Sequence, residues 1–314
     1  MIIKGKIKSI EFSKPVDYVY DISVENNHNF LANDVILKNC HHIPCDTAAE
    51  VSRNAINAYY RIGVSATPWR DGGDDLLIEA CLNKRKPENS INATKLTELG
   101  FLVLATIYFV PMKETFKGKN YHDVYKKAIV ENQERNNAII KIAQKMYEKN
   151  SIILILIQQI EHGNILLEML SKIIPIETFA MTVDNPKNNK PTIVMVRSIE
   201  FLSGKDEALR RKAVLQAVRE KKCKILIGST IADEGLDCSS LDCLILGQSG
   251  KSSTRAFQRV GRVLRLCEGK SKATVFDFQD YTPMLRRHSR IREKLYRTEE
   301  SWEIKMFNTN LLNK

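Results

Sequence analysis

The sequence predicts an α/β fold built on a mostly parallel sheet, preceded by a short all-β segment that ends at residue 39. Three observations predict it. From Cys40 onward, short apolar runs alternate with amphipathic stretches, the pattern of strands buried on both faces and joined by crossover helices. Residues 1–39 instead carry brief β-type runs separated by turn residues. The charge divides at the same point: five lysines in residues 1–39 balance Glu11, Asp17, Asp21, Glu25 and Asp34, so the net +11 lies beyond Cys40.

In the front segment the expected strands are Lys6 to Phe12, Tyr18 to Val24, Asn29 to Leu31 and Val35 to Leu37. Lys14-Pro15, Glu25-Asn26-Asn27 and Asn33-Asp34 supply the turns. Beyond it the expected buried strands are Tyr60 to Val64, Ser151 to Ile157, Lys224 to Ile227, Cys243 to Leu246 and Ala273 to Phe278. The expected helices are Asp46 to Ile56, His122 to Tyr147, His162 to Ile173, Glu207 to Glu220 and Thr254 to Leu264. The long polar helix ending near Asn150 is expected to join two domains, and Asp184 to Pro191 reads as a loop or hairpin tip. The division that follows is 1–39, 40–110, 111–150, 151–285 and a basic tail at 286–314.

A chain of 314 residues with 43% apolar content can bury a real core in about two domains. No apolar run reaches the roughly 18 residues of a membrane span, and the polar start Met1 to Lys6 lacks a signal-peptide core. The expectation is a cytoplasmic protein, in a host cell if phage-encoded, with no membrane partner. Seven cysteines without a C-x-x-C pair fit neither a disulfide framework nor a zinc ribbon. The basic surplus suits a polyanionic partner, although a merely soluble basic surface would look the same.

Asn39 followed by Cys40 carries a specific chemistry. An asparagine amide can attack its own backbone carbonyl and cleave the next peptide bond, and a thiol just after it can accept an acyl group. The stretches Val19-Tyr20-Asp21-Ile22-Ser23-Val24-Glu25 and His28-Asn29-Phe30-Leu31-Ala32-Asn33-Asp34, then Asn39-Cys40, resemble the C-terminal signature of inteins. The resemblance implies a Hint-type C-terminal fragment in which Asp21 assists transfer to Cys40 and His28 polarises the bond at Asn39. Lys38 stands where inteins usually carry histidine, which would make asparagine cyclisation slow or leave it to His28. The first intein block is absent, so the chain would either need a partner fragment in trans or be a piece of a longer precursor, and Met1 close to the first strand favours a split gene.

Immediately after this junction come Cys40-His41-His42, and 23 residues beyond Cys40 come Gly63-Val64-Ser65-Ala66-Thr67-Pro68. Further on, Gly228-Ser229-Thr230-Ile231-Ala232-Asp233-Glu234-Gly235-Leu236-Asp237 precedes Gln258-Arg259-Val260-Gly261-Arg262-Val263-Leu264-Arg265. These boxes resemble superfamily 2 helicases, whose Asp-Glu-x-His box would here keep only its x-His. The resemblance implies a complete second RecA-like lobe plus the end of the first. It places the Mg²⁺-binding Asp and Glu on a missing N-terminal half that bears the intein's N-terminal fragment. It also makes ATP and Mg²⁺ the cofactors and DNA or RNA the substrate, with ligation at Cys40 rebuilding the ATPase box. His41, Ser65 and Thr67 would then relay nucleotide state between lobes. The His41-His42 pair has no Cys or third His at zinc-like spacing, so no metal site is expected from it.

On a helix, residues 258, 262 and 265 share a face, so Gln258, Arg262 and Arg265 can point together across a cleft. Phosphoryl transfer needs such positive groups on the departing phosphate, which makes Arg262 and Arg265 candidate arginine fingers. Gly235 and Asp237 would shape the nucleotide-side loop, while Ser229, Thr230 and Gly204 would face nucleic-acid phosphates. Gly247 to Ser252 (GQSGKS) looks like a phosphate loop but lacks the required glycine, position 245 being Ile. Residues 286–297 set Arg286, Arg287, Arg290, Arg292, Lys294 and Arg297 against Glu293, a solvated face or a DNA contact. The Cys-His-His box, His162-Gly163 and Thr94 to Leu102 (TKLTELGFL) most resemble the phage and archaeal repair or branch-migration helicases. Two other readings stand beside this one: a nucleic-acid-binding module without catalysis, and a self-contained P-loop NTPase using Lys251.

Overall fold

The computed structural model describes residues 29–32, 35–39, 50, 60–64, 79–80, 92–113, 116, 118, 120–185, 190–229, 238–250 and 253–309. The chain divides into two compact units, Met1–Ser90 and Ile91–Lys314. In the first, β1 (Asn29–Ala32) pairs antiparallel with β2 (Val35–Asn39), and β2 pairs in parallel with β3 (Tyr60–Val64). Asn39 stands opposite Val64. The described part of the front segment therefore shares a sheet with a strand beyond Cys40, where the sequence led us to expect a separate all-β fragment.

The second unit opens with α1 (Ala93–Glu98), capped by the Asn92 side chain accepting from Lys95 N at 2.8 Å. There follow β4 (Leu104–Pro111), α2 (Tyr121–Tyr125), a π-turn over Lys126–Val130, α3 (Gln133–Glu148), β5 (Ile153–Leu156) and α4 (Ile160–Ser171). A hairpin of β6 (Thr178–Asp184) and β7 (Pro191–Arg197) precedes β8 (Ile199–Leu202), α5 (Ala208–Arg219), β9 (Ile225–Gly228) and β10 (Cys243–Leu246). The unit closes with α6 (Ser253–Val263), β11 (Lys272–Gln279), α7 (Pro283–Tyr296) and β12 (Trp302–Met306).

Seven strands form one wholly parallel sheet in the order β12-β4-β11-β10-β5-β9-β8. The alternation of strand side chains divides the core into two layers. Leu154, Leu156, Leu244 and Leu246 face Ala213, Val214, Ala217 and Val218 of α5 and Ala256, Phe257, Val260 and Val263 of α6. Ile153, Ile155, Ile225 and Ile245 face Ala138, Ile139, Ile142 and Ala143 of α3 and Leu166 and Leu170 of α4. Each Val, Leu or Ile side chain so buried contributes about 1.5–3 kcal/mol, which explains why β5 is all Ile and Leu and why three of the four residues of β9 and of β10 are.

The helix expected from His122 to Tyr147 is broken. The Asn132 side chain accepts from Arg135 N at 3.1 Å while its amide donates to the Ala128 carbonyl, so asparagine ends one helical segment and starts the next. The restarted α3 lies on the sheet with eight buried residues, where a polar connector between domains was expected. The tip expected between Asp184 and Pro191 is present as the β6–β7 hairpin, with those two residues paired. Residues 286–297, read as part of a tail, lie mostly on α7, and β12 behind them completes the sheet. Among the described residues no helix is long and apolar enough to cross a membrane.

Candidate functional site

In a parallel sheet all strands end on one edge, and the loops leaving that edge are where ligands bind. Here β8 and β9 pair with Leu202 opposite Gly228, so the residues that follow them, Gly204 and Ser229, come together. Ser229 N donates to Leu202 O at 3.1 Å. The turn around Gly204 is held open by Asp206, whose Oδ2 accepts from Ser203 N at 2.7 Å, and Arg210 bridges Asp206 to buried Glu200. A side chain at Gly204 would meet nothing within 4 Å, so its exposed backbone leaves room for a ligand rather than for packing. Next to this edge, Gly163 lets α4 lie against β8, since a Cβ there would fall 2.6 Å from the Phe201 ring. This packing accounts physically for the His162-Gly163 pair.

The second group descends α6, which starts at the same edge and runs back toward the strand beginnings. Gln258 and Arg262 are half-buried on this helix, above Val260 and Val263 in the core. Arg265 departs from the expectation of a shared helical face: α6 ends at Val263, and Arg265 forms an antiparallel bridge with Leu102. It is exposed at the end of the sheet opposite to Ser229. The sequence-expected residues thus fall into two sets, Gly204 with Ser229 on the ligand edge and Gln258, Arg262 and Arg265 along the α6 flank. Asn39 ends β2 in the first unit. Asp21, His28, Cys40, His41, Ser65, Thr67, Thr230, Gly235 and Asp237 lie outside the described residues, as does Lys251.

Two clusters that sequence reasoning missed hold these sets in place. Lys270 Nζ donates to the carbonyls of Val263 (2.7 Å), Arg265 (2.9 Å), Ser239 (3.0 Å) and Leu241. One ammonium thereby ties the end of α6, including the Arg265 backbone, to the segment entering β10. Burial lowers the Lys270 pKa to about 8, against the opposing pull of Asp242. Nothing in the local sequence marks Lys270 for this role.

The other cluster lies under α3. Arg135, fully buried, bonds Asp280 Oδ1 at 2.7 Å and the Gly247 carbonyl at 3.1 Å, with its guanidinium 4.4 Å from the centre of the Phe278 ring. It fixes the ends of β10 and β11, from which α6 and α7 depart. Beside it, Asn136 donates to Val130 O, which turns its Oδ1 toward His162 Nε2 at 2.8 Å. Nε2 must therefore carry the proton. Burial and the nearby Arg135 charge hold the His162 pKa at about 3, so the ring is neutral. Gln248, in the amide orientation that satisfies both ends, accepts from Arg259 Nη1 at 2.6 Å and braces the loop into α6. The signal for Arg135 was available: it falls in phase with the apolar stripe at 138, 139, 142, 143 and 146.

Comparison with known proteins agrees with this geometry. Residues 134–267 match the helicase conserved C-terminal domain. The chain is 26% identical over 312 residues to the Sulfolobus islandicus filamentous virus (isolate Iceland/Hveragerdi) protein named "Putative helicase 22", covering 88% of this chain and 50% of that protein. It is 24% identical over 256 residues to the DNA 3'-5' translocase XPB2 of Sulfurisphaera tokodaii, covering 74% of this chain and 55% of that one. In structure it resembles S. cerevisiae Dbp5 bound to RNA and ADP BeF3, with a TM-score of 0.54 at 12% identity over 89% of this chain and 60% of that one. The chain thus spans about half the length of the curated relatives it matches. Sheet, helix order and sequence match agree that the second unit carries the C-terminal RecA-like lobe of a superfamily 2 helicase.

Proposed function

We propose that this chain is the C-terminal half of an ATP-dependent DNA translocase, joined to its N-terminal half by protein trans-splicing at Asn39 and Cys40. The observation that carries the motor reading is helix α6, which holds Gln258 and Arg262 on the flank of a parallel sheet within a matched helicase C-terminal domain, with Arg265 of the same box just beyond its end. ATP would supply the transferable phosphate. Arg262 and Arg265 would stabilise the charge that develops on it, with Gln258 orienting the same group. The resemblance to the helicase boxes is what assigns the Mg²⁺-binding Asp and Glu, which this chain's Cys40-His41-His42 lacks. By that resemblance Mg²⁺ would be held by the other half. Gly204, Ser229 and Thr230 would contact backbone phosphates of the translocated strand. DNA is favoured over RNA because the sequence relative across 74% of this chain is named a DNA translocase, whereas the RNA-bound protein is alike in fold alone.

The splicing part rests on the order Asp21, His28, Asn39, Cys40 within the intein-like stretches. The parallel pairing of β2 with β3, which crosses the junction, favours a second reading. In that reading β2 is a strand of the first helicase lobe, and Asn39 belongs to its nucleotide loop without any cleavage. Mixing the chain with a partner half ending in an intein N-terminal fragment separates the two. Splicing predicts a ligated product beginning its second part at Cys40, lost with Asn39→Ala, together with nucleic-acid-stimulated ATP hydrolysis. Ligation at normal yield with Asn39→Ala, or none with the natural chain, would overturn it.

A further inference from the structure

The basic run at 286–297 is a rigid surface rather than a loose tail. Helix α7 is fastened to the sheet from beneath by Arg292, which forms a bidentate pair with buried Asp277, both bonds at 2.8 Å. Tyr296 Oη donates to Asp277 Oδ2 at 3.0 Å, and Ser289 Oγ bonds the Phe278 carbonyl. Leu285, His288, Ser289, Arg292 and Tyr296 are buried. At 100° per residue these occupy one side of the helix, and Arg286, Arg287, Arg290, Lys294 and Arg297 fall within an arc of about 100° on the opposite side. All five are exposed. Glu293, the acid within this run, sits at the margin of the arc and is engaged by Arg297 at 2.8 Å.

We propose that this outward face of α7 is a second docking surface, for the sugar-phosphate backbone of duplex DNA. Arg287, Arg290 and Lys294 follow one another at spacings of three and four residues, a straight cationic row about 10 Å long. An unbroken row of one sign, held on a fixed element, complements a polyanionic backbone and repels a basic surface. Its position fits as well. Helix α7 leaves the end of β11, on the same sheet edge as Gly204 and Ser229, and three strand spacings, about 14 Å, separate β11 from β9. A duplex entering along that edge can meet α7 while its translocated strand reaches Ser229. Unpaired bases are a poorer fit, because they need aromatic platforms. The exposed ring at the start of the helix, Tyr281, is already covered by Arg286 at 5.6 Å. The proposal rests on the translocase reading and adds to it a contact outside the helicase boxes.

The test measures affinity of the full 314-residue chain for a blunt DNA duplex across a salt series. Replacing Arg287, Arg290 and Lys294 together by Gln removes three charges and should lower the log–log salt slope by about 2 to 3. A control with Lys172, Lys212 and Lys222 changed to Gln removes the same charge from sites paired with Glu168, Asp184 and Glu220, and should leave the slope nearly unchanged. The inference is overturned, with the translocase reading intact, if the α7 variant binds duplex DNA as the natural chain does, or if the control loses as much. It is also overturned if the α7 variant is impaired on duplex RNA but not on duplex DNA. Absence of any nucleic-acid binding by the natural chain at low salt would instead remove the underlying reading. Circular dichroism and the urea midpoint of each variant confirm that it is folded.

Discussion

Replacing Arg135 by Met should leave the buried Asp280 carboxylate without its partner. Both side chains are nearly sealed from solvent, 0% and 4% exposed, and joined at 2.7 Å. Removing one member of such a pair costs about 3–5 kcal/mol, mostly from the stranded charge. Methionine keeps much of the volume and still packs on Phe278, so cavity formation adds little. The loss is a large share of the roughly 5–15 kcal/mol that holds a typical domain together. Urea denaturation should therefore show a much lower midpoint at an unchanged slope. Adding Asp280→Asn removes the stranded charge, and the double variant should regain most of the loss. About 1 kcal/mol would remain for the bond to the Gly247 carbonyl. A single variant within about 1 kcal/mol of the natural chain would refute this account of the cluster, as would a double variant as weak as the sum of the two singles.

His162 gives a pH signature. Its folded pKa of about 3 lies below the ordinary value of 6.5, so between these values the unfolded ring binds a proton that the folded ring refuses. Stability from this group is complete above pH 6.5 and falls on acidification toward pH 3, by about 2 kcal/mol at pH 5. Urea midpoints from pH 8 to 5 should show this component, and His162→Leu should lack it; equal pH dependence in both would contradict the buried neutral ring. Lys270→Met withdraws the cation from four carbonyls and should cost about 2–3 kcal/mol, with faster hydrogen exchange at residues 263–266. Unchanged exchange there would mean that Lys270 does not hold the end of α6.

Elements buried on both faces were the legible part of this fold. Cys243–Leu246 was expected and found with identical bounds, and Ile225–Gly228 and Ile153–Leu156 lie within a residue or two of expectation, because a short Ile and Leu run between polar residues has few other uses. Helices α4, α5 and α6 were legible from their period for a similar reason. Strand β4 was missed because Thr106 and Tyr108 interrupt its apolar pattern and Pro111 ends it, while its place beside β11 is a long-range fact. Helix α7 was hidden by its charge: Arg292 looks like its neighbours, and only the fold reveals that it is buried against Asp277. Within the site, the boxes at 228–237 and 258–265 stand out by spacing alone, and the described residues of them place Ser229 at the end of β9 and Gln258 and Arg262 on α6. The bridge that takes Arg265 off the helix and the carbonyl cage of Lys270 arise from segments remote in sequence, and no local pattern encodes them.

On the proposed function, α6 would act on the phosphates of ATP in an assembled two-lobed motor. That role is tested most directly by nucleic-acid-stimulated ATP hydrolysis of the joined protein, comparing the natural chain with Arg262→Gln. Stimulated hydrolysis is expected in the natural protein, with a loss of about 10²–10³-fold in kcat in the variant. Nucleic-acid binding and the urea midpoint should be little changed. Undiminished hydrolysis by Arg262→Gln, or hydrolysis by the 314-residue chain alone that is abolished by Lys251→Ala, would contradict it.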